Sequence, residues 1–135
     1  MQEKEERYSI SVSKEQLSII MDTLENMSRF NTGQVSEIFN DVLWNSDRIS
    51  HAEIDELTKA IKTTIFPDLD LNAYFSVGIR EGDKLSELKQ KQYEIYRELR
   101  HQLYMMKPSR DGYSVLENPA SIYSDLPKVK LIKEE

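Results

Sequence analysis

From Lys84 to Met106 the chain contains neither glycine nor proline. Asp83 stands before this stretch as an N-cap and Pro108 follows it, so the pattern predicts one long helix over 84–106. At about 100° per residue, Leu85, Leu88, Ile95, Leu99, Leu103 and Met106 fall within an arc of roughly 80°, which predicts the core-facing side. Tyr93, Arg97, Arg100 and Tyr104 fall within about 60° of one another on a different side. Tyr96 lies between the two sets and His101 lies beyond the arginines. Guanidinium groups fit phosphate or carboxylate, and tyrosine adds a ring for stacking and a hydroxyl for bonding. Three readings remain open for this second stripe: a solvated face whose arginines pair with Glu94 and Glu98, a protein interface, or a site for a small anion.

The segments before this helix read as three shorter helices. YSISV (8–12) alternates as a half-buried strand does. Ser13 and Gln16 then have the spacing of a capping box, with Val12 and Leu17 as its hydrophobic staple. Leu17, Ile20, Met21, Leu24 and Met27 form one stripe, and Asn31-Thr32-Gly33 is turn chemistry. A second helix is expected from about Gln34, with Val35, Ile38, Phe39, Val42 and Leu43 at core-facing spacing. Ser50 with Glu53 repeats the box, Ile49 with Ile54 the staple, and Pro67 stops the third helix. AYFSVGI (73–79) reads as a short strand or an ordered loop. YSVL (113–116) and KVKLI (128–132) are further strand candidates. The expected fold class is therefore α+β and mainly helical, with about four helices and a small antiparallel sheet formed by the N-terminal strand and C-terminal segments. The 135 residues read as a single domain, 1–135, with 1–6 and 133–135 frayed.

Composition narrows the function classes. Hydrophobic residues make up 39% and charged residues 31%, as in globular proteins and unlike disordered ones. The absence of cysteine removes disulfides, thiolate zinc sites and thiol catalysis. Two histidines, His51 and His101, leave little for a metal site, and none is assigned. No Walker loop, HExxH or GxSxG occurs, so no catalytic residue and no cofactor is assigned. His101 with Glu98 is an i, i+3 pair of a kind common by chance. No apolar run has the length of a membrane span, and MQEKEER is too charged for a signal peptide, so a cytoplasmic protein is expected. From Glu15 to Asp70 there are eleven acids and four bases, and from Lys84 to Arg110 seven bases and three acids. A pI near 5.0 and the lack of a reader motif disfavour nucleic acid as partner. Tyrosines on a basic helix beside an acidic remainder suit a homo-oligomer.

A second place of interest is SRFNTGQ (28–34). Backbone amides at a helix start form a general anion site, here after Thr32 and Gly33, with Arg29 one turn before and Gln34 just inside. If the end of the first helix meets the middle of the long one, Arg29, Gln34, Arg100 and His101 converge.

In the order of these motifs the chain resembles a family of small, mostly uncharacterised bacteriophage proteins. The shared features are the opening YSISVSKEQLSIIMDTLE (8–25), Ser28-Arg29 and Gly33-Gln34 with Glu37 following, and Gly78-Ile79. They continue with Tyr96, Arg100 and His101 in a Tyr-x-x-x-Arg-His helix, and with LPKV (126–129). The likeness covers most of residues 8–130 and departs from the pattern at 41–54 and just before Lys84. Small phage proteins of this size often counter host defence, and one class sequesters cyclic nucleotide or cyclic ADP-ribose signals without cleaving them. By that analogy the chain is expected to be a non-catalytic sponge for such a ligand in the host cytoplasm. Arg29, Arg100 and the amides at Thr32 and Gly33 would hold phosphates, Tyr96 would stack, and His101 and Gln34 would read polar edges. The alternative is a protein-interaction module that inhibits a host protein through its acidic helical face.

Overall fold

The computed structural model describes residues 6–76, 78–110 and 115–135. Four α-helices follow in order: α1 (Lys14–Asn31), α2 (Asn40–Asn45), α3 (His51–Ile65) and α4 (Lys84–Met105). The serine boxes start α1 and α3 as the spacing predicts. Ser13 Oγ accepts from the Gln16 amide at 3.1 Å while Gln16 Oε1 accepts from the Ser13 amide at 2.8 Å. Ser50 and Glu53 exchange the same pair at 3.2 and 3.1 Å. Each box stabilises its helix by about 1 kcal/mol. Asp83 caps α4 through the Ser86 amide at 3.0 Å. No described helix is long and apolar enough to cross a membrane.

Two expectations about elements are corrected. The second helix is split: Val35–Phe39 is a 3-10 turn, and only Asn40–Asn45 is α-helical. Gln34 supplies no side-chain cap, so nothing fixes an α-helical first turn, and the tighter hydrogen-bonding pattern takes over. The second correction concerns the sheet. Among the described residues there is no β-strand, so the expected antiparallel sheet is absent and the fold is helical with extended arms. YSISV and KVKLI belong to no ladder and no helix. AYFSVGI is loop at its described positions, and residues 113–114 of YSVL lie outside the described residues, with a 3-10 turn at Val115–Glu117.

What replaces the sheet is a row of side chains on α4. Ser86, Gln90, Glu94, Glu98 and Gln102 recur every fourth residue, and the first four are buried. Gln90 accepts from the Gly78 amide at 2.7 Å. Glu94 Oε1 accepts from the Tyr123 and Ser124 amides at 2.8 and 3.1 Å. Glu98 accepts from the Val129 amide at 2.7 Å. Gln102 accepts from the Leu131 amide and donates to the Val129 carbonyl, both at 2.7 Å. The registers match. Four residues of helix rise about 6.0 Å, and two residues of extended chain rise about 6.6 Å, so Glu98 and Gln102 meet Val129 and Leu131 in step. The tail thus runs parallel to α4 with its backbone bonded to helix side chains, and it needs no strand partner.

This arrangement also corrects the reading of the α4 faces. Of the arc expected to face the core only Leu99 is buried; Ile95 and Leu103 are half-buried, while Leu85, Leu88 and Met106 are exposed. Glu94 and Glu98 do not pair with the arginines, because both hold the tail. The remaining apolar core is small: Leu17, Val35, Ile54, Phe66, Tyr96 and Tyr104 join Leu99. Phe30 meets Phe66 edge-on at 6.0 Å and joins the ends of α1 and α3.

The 66–83 loop is fastened in the same manner. Lys62 donates to the Leu71 and Ala73 carbonyls, and Lys89 donates to the Ser76 carbonyl at 2.8 Å. Both lysines are buried, and burial lowers both ammonium pKa values.

Candidate anion-binding groove

Four of the residues singled out from sequence do converge. The C-terminal half of α1 packs along the middle of α4, which brings Glu25 and Arg29 to Tyr96. Arg29 Nη2 pairs with Glu25 at 3.2 Å and its Nη1 donates to Gln34 Oε1 at 3.3 Å. The Tyr96 hydroxyl lies in the field of the Glu25 carboxylate and accepts from Arg100 Nη1 at 3.2 Å. The phenol pKa is raised, first by burial and then by the Glu25 carboxylate. Burial opposes the charge on Arg29, but Glu25 outweighs it and the net shift is upward. The tyrosine–arginine stripe therefore has partners within the fold. Arg97 donates to the Tyr93 hydroxyl at 2.9 Å, and the Tyr93 and Tyr96 rings lie 6.2 Å apart. One donor of the stripe is left over: Arg100 Nε is buried with no hydrogen-bond partner among the described residues.

The turn at Thr32 and Gly33 does not offer the expected anion site. Gly33 N–H donates to the Phe30 carbonyl and Gln34 N–H to the Arg29 carbonyl, both at 2.9 Å, the two bonds of a Schellman close. Thr32 N–H is also spent, on the Ser28 and Arg29 carbonyls. These amides complete the end of α1, so none is free to cradle a phosphate. Gly33 itself is required, because it sits at φ +99° and a Cβ there would lie 2.5 Å from Leu69 Cδ1.

His101 points the argument to another side of α4. Its Nδ1 lies 2.8 Å from the Leu116 carbonyl. A carbonyl only accepts, so Nδ1 carries the proton and Nε2 is left for other partners. The ring lines a groove of about 660 Å³ between the C-terminal end of α4 and the tail. Arg7, Lys128 and Lys130 supply charge, and Met105, Met106 and Leu131 supply apolar surface. Among the described residues no acid lines it. A smaller cavity of about 110 Å³ adjoins at His101 and Lys128, walled by Pro119, Ile122 and Leu126. Arg7 Nη2 donates to the Lys128 carbonyl at 3.2 Å, so the N-terminal arm fixes one wall.

Sequence reasoning found only His101 among these groove residues. A signal for the others exists in Lys128-Val129-Lys130-Leu131: in an extended segment alternate residues share a side. Val129 and Leu131 are half-buried against α4, and Lys128 and Lys130 are exposed, about 6.6 Å apart along the strand axis. Arg7 carries no such signal. No protein-family model matches this chain, and no curated protein and no solved structure matches it significantly.

Proposed function

We propose that the protein is a non-catalytic binder that sequesters a small anionic, nucleotide-like molecule in the groove beside His101. The observation that carries this reading is the lining itself. In a chain of net charge −6, three permanent cations, one histidine and two methionines line an open hollow with no acid among its described lining residues. Its volume lies in the range of small-ligand sites. Lys128, Lys130 and Arg7 would take phosphate oxygens, His101 Nε2 would bond a polar edge, and Met105 and Met106 would pack a base. Cyclic nucleotides and cyclic ADP-ribose-type signals have this chemistry, and the likeness to phage proteins supports a setting in which a host signal is withheld from its receptor. Arg29, Tyr96 and Arg100 serve the α1–α4 junction in this reading.

Titration calorimetry with cyclic dinucleotides and cyclic ADP-ribose tests it. A ligand bound unchanged, lost at least tenfold in Lys128→Glu/Lys130→Glu and retained in Arg100→Ala, is the expected result. Binding that survives the double lysine variant but vanishes in Arg100→Ala would move the site to the Tyr96 junction. Absence of binding to the whole panel, with no rise in melting temperature, would overturn the reading.

A further inference from the structure

The small hollow beside the groove differs from it in character. His101, Gln102 and Lys128 line both, so the two spaces meet at one turn of α4 and one point of the tail. The groove is open, and no acid stands among its described lining residues. The small hollow is more enclosed, holds about 110 Å³ and is walled by Pro119, Ala120, Ile122 and Leu126 of the tail. Glu98 also lines it, with a buried carboxylate that accepts from the Val129 amide.

These differences orient a guest. The Glu98 carboxylate repels an anionic group from the small hollow, while Arg7, Lys128 and Lys130 attract it into the groove. An uncharged apolar group gains by entering the small hollow, where Ile122 and Leu126 are still 48% and 37% exposed. Gln102 is spent at both ends of its amide, on the Val129 carbonyl and the Leu131 amide. His101 Nδ1 is spent on the Leu116 carbonyl, which leaves Nε2 to bond one polar edge of the guest.

Volume sets the size of what enters. A cavity of about 150 Å³ lined by aliphatic side chains accepts one benzene molecule. A hollow of about 110 Å³ therefore admits one six-membered ring with an edge left in the mouth, and does not admit two fused rings.

We infer that the guest of the groove carries, beside its anionic group, one compact single-ring substituent, and that this ring enters the hollow between Glu98 and Ile122 while the anion stays at Lys128 and Lys130. The inference rests on the groove reading and adds the shape of the guest to it. A phosphate-bearing molecule with a pyrimidine-like or aryl ring fits this end, and a fused base is left to Met105 and Met106 in the open part.

NMR titration of the full chain with methyl phosphate, phenyl phosphate and 1-naphthyl phosphate, each to about 20 mM, tests this. Phenyl phosphate is expected to bind at least about tenfold more tightly than methyl phosphate and to shift the Ala120 and Ile122 amides, because half of its ring leaves water. The naphthyl ester is expected to bind no more tightly than the phenyl ester. Ala120→Leu, which fills the hollow, and Ile122→Ser, which removes an exposed apolar wall, are each expected to cancel most of the phenyl gain. Equal binding of the methyl and phenyl esters, both lost in Lys128→Glu/Lys130→Glu, overturns the inference and leaves the groove reading standing. A phenyl gain that survives both Ala120→Leu and Ile122→Ser, or a naphthyl ester at least tenfold tighter than the phenyl one, overturns it as well, because the ring then lies outside the hollow. No binding of any ester removes the groove reading and this inference together.

Discussion

Glu98→Ala is the most informative single change, because Glu98 connects the helix to the wall of the groove. Its carboxylate is 5% exposed and accepts from the Val129 amide at 2.7 Å, between the two groove lysines. A hydrogen bond to a charged acceptor contributes about 1.5–3 kcal/mol net, and an orphaned amide in a half-buried segment costs a similar amount when water does not replace the acceptor. Gln102 still holds the Val129 carbonyl and the Leu131 amide, so the tail is loosened and not released. A destabilisation of about 2 kcal/mol is expected. For a chain of this length the unfolding entropy is about 0.28 kcal/mol/K, which converts this to a melting temperature lower by about 7 °C. Glu98→Gln keeps an oxygen in place but not the charge, and about half the effect is expected. Circular dichroism melts give the global number, and amide exchange at Val129 and Leu131 gives the local one. A Glu98→Ala protein that melts within 1 °C of wild type and keeps the Val129 amide protected would refute the claim that helix side chains hold the tail.

Gly33→Ala combines a positive φ with a clash against Leu69 Cδ1, and a loss of about 2–3 kcal/mol is expected from denaturant melts; adding Leu69→Ala should recover only the steric part. Lys62→Met removes the donor to the Leu71 and Ala73 carbonyls from a buried site, and about 2–4 kcal/mol is expected to be lost, read as faster exchange through the 69–76 loop. The Asp83 carboxyl is held below its usual 3.8, chiefly by the Ser86 amide and then by Arg80. Its contribution is therefore complete above pH 3.8 and is lost as pH falls through the lower folded value, so Asp83→Asn should flatten the acid limb of a stability–pH profile and leave its neutral limb parallel to wild type.

The parts of the fold legible in sequence were those decided locally. Ser13 with Gln16, Ser50 with Glu53, Asp83 and Pro67 mark helix boundaries through short-range hydrogen bonds and sterics, and three of the four helices lie where these signals put them. The sheet failed because alternation reports an extended chain with two unlike faces, and it does not report what the backbone bonds to. In KVKLI the alternation is real, with Val129 and Leu131 turned toward α4, but the acceptors are Glu98 and Gln102. The i, i+4 run of Ser86, Gln90, Glu94, Glu98 and Gln102 was visible in the sequence as a polar stripe. On propensity alone such a stripe reads as solvent-facing, and only the tail and loop turn it into a buried one. At the site, local angles placed Tyr96, Arg100 and His101 correctly on the helix, and Arg29 and Gln34 do join the first two through Glu25 and Tyr96. The separation of His101 onto the groove side, with Arg7 from the far end of the chain, depends on tertiary packing that no local pattern encodes.

Because α4 grips the tail by main-chain amides and carbonyls, the hold is indifferent to which outward side chains the tail carries. Positions 128 and 130 can change in size or sign while Glu98 and Gln102 keep their bonds. The groove wall is in this sense a replaceable strip on a fixed rail, so the charge and shape it presents can be retuned by substitution at two or three tail positions, with the helical framework left untouched.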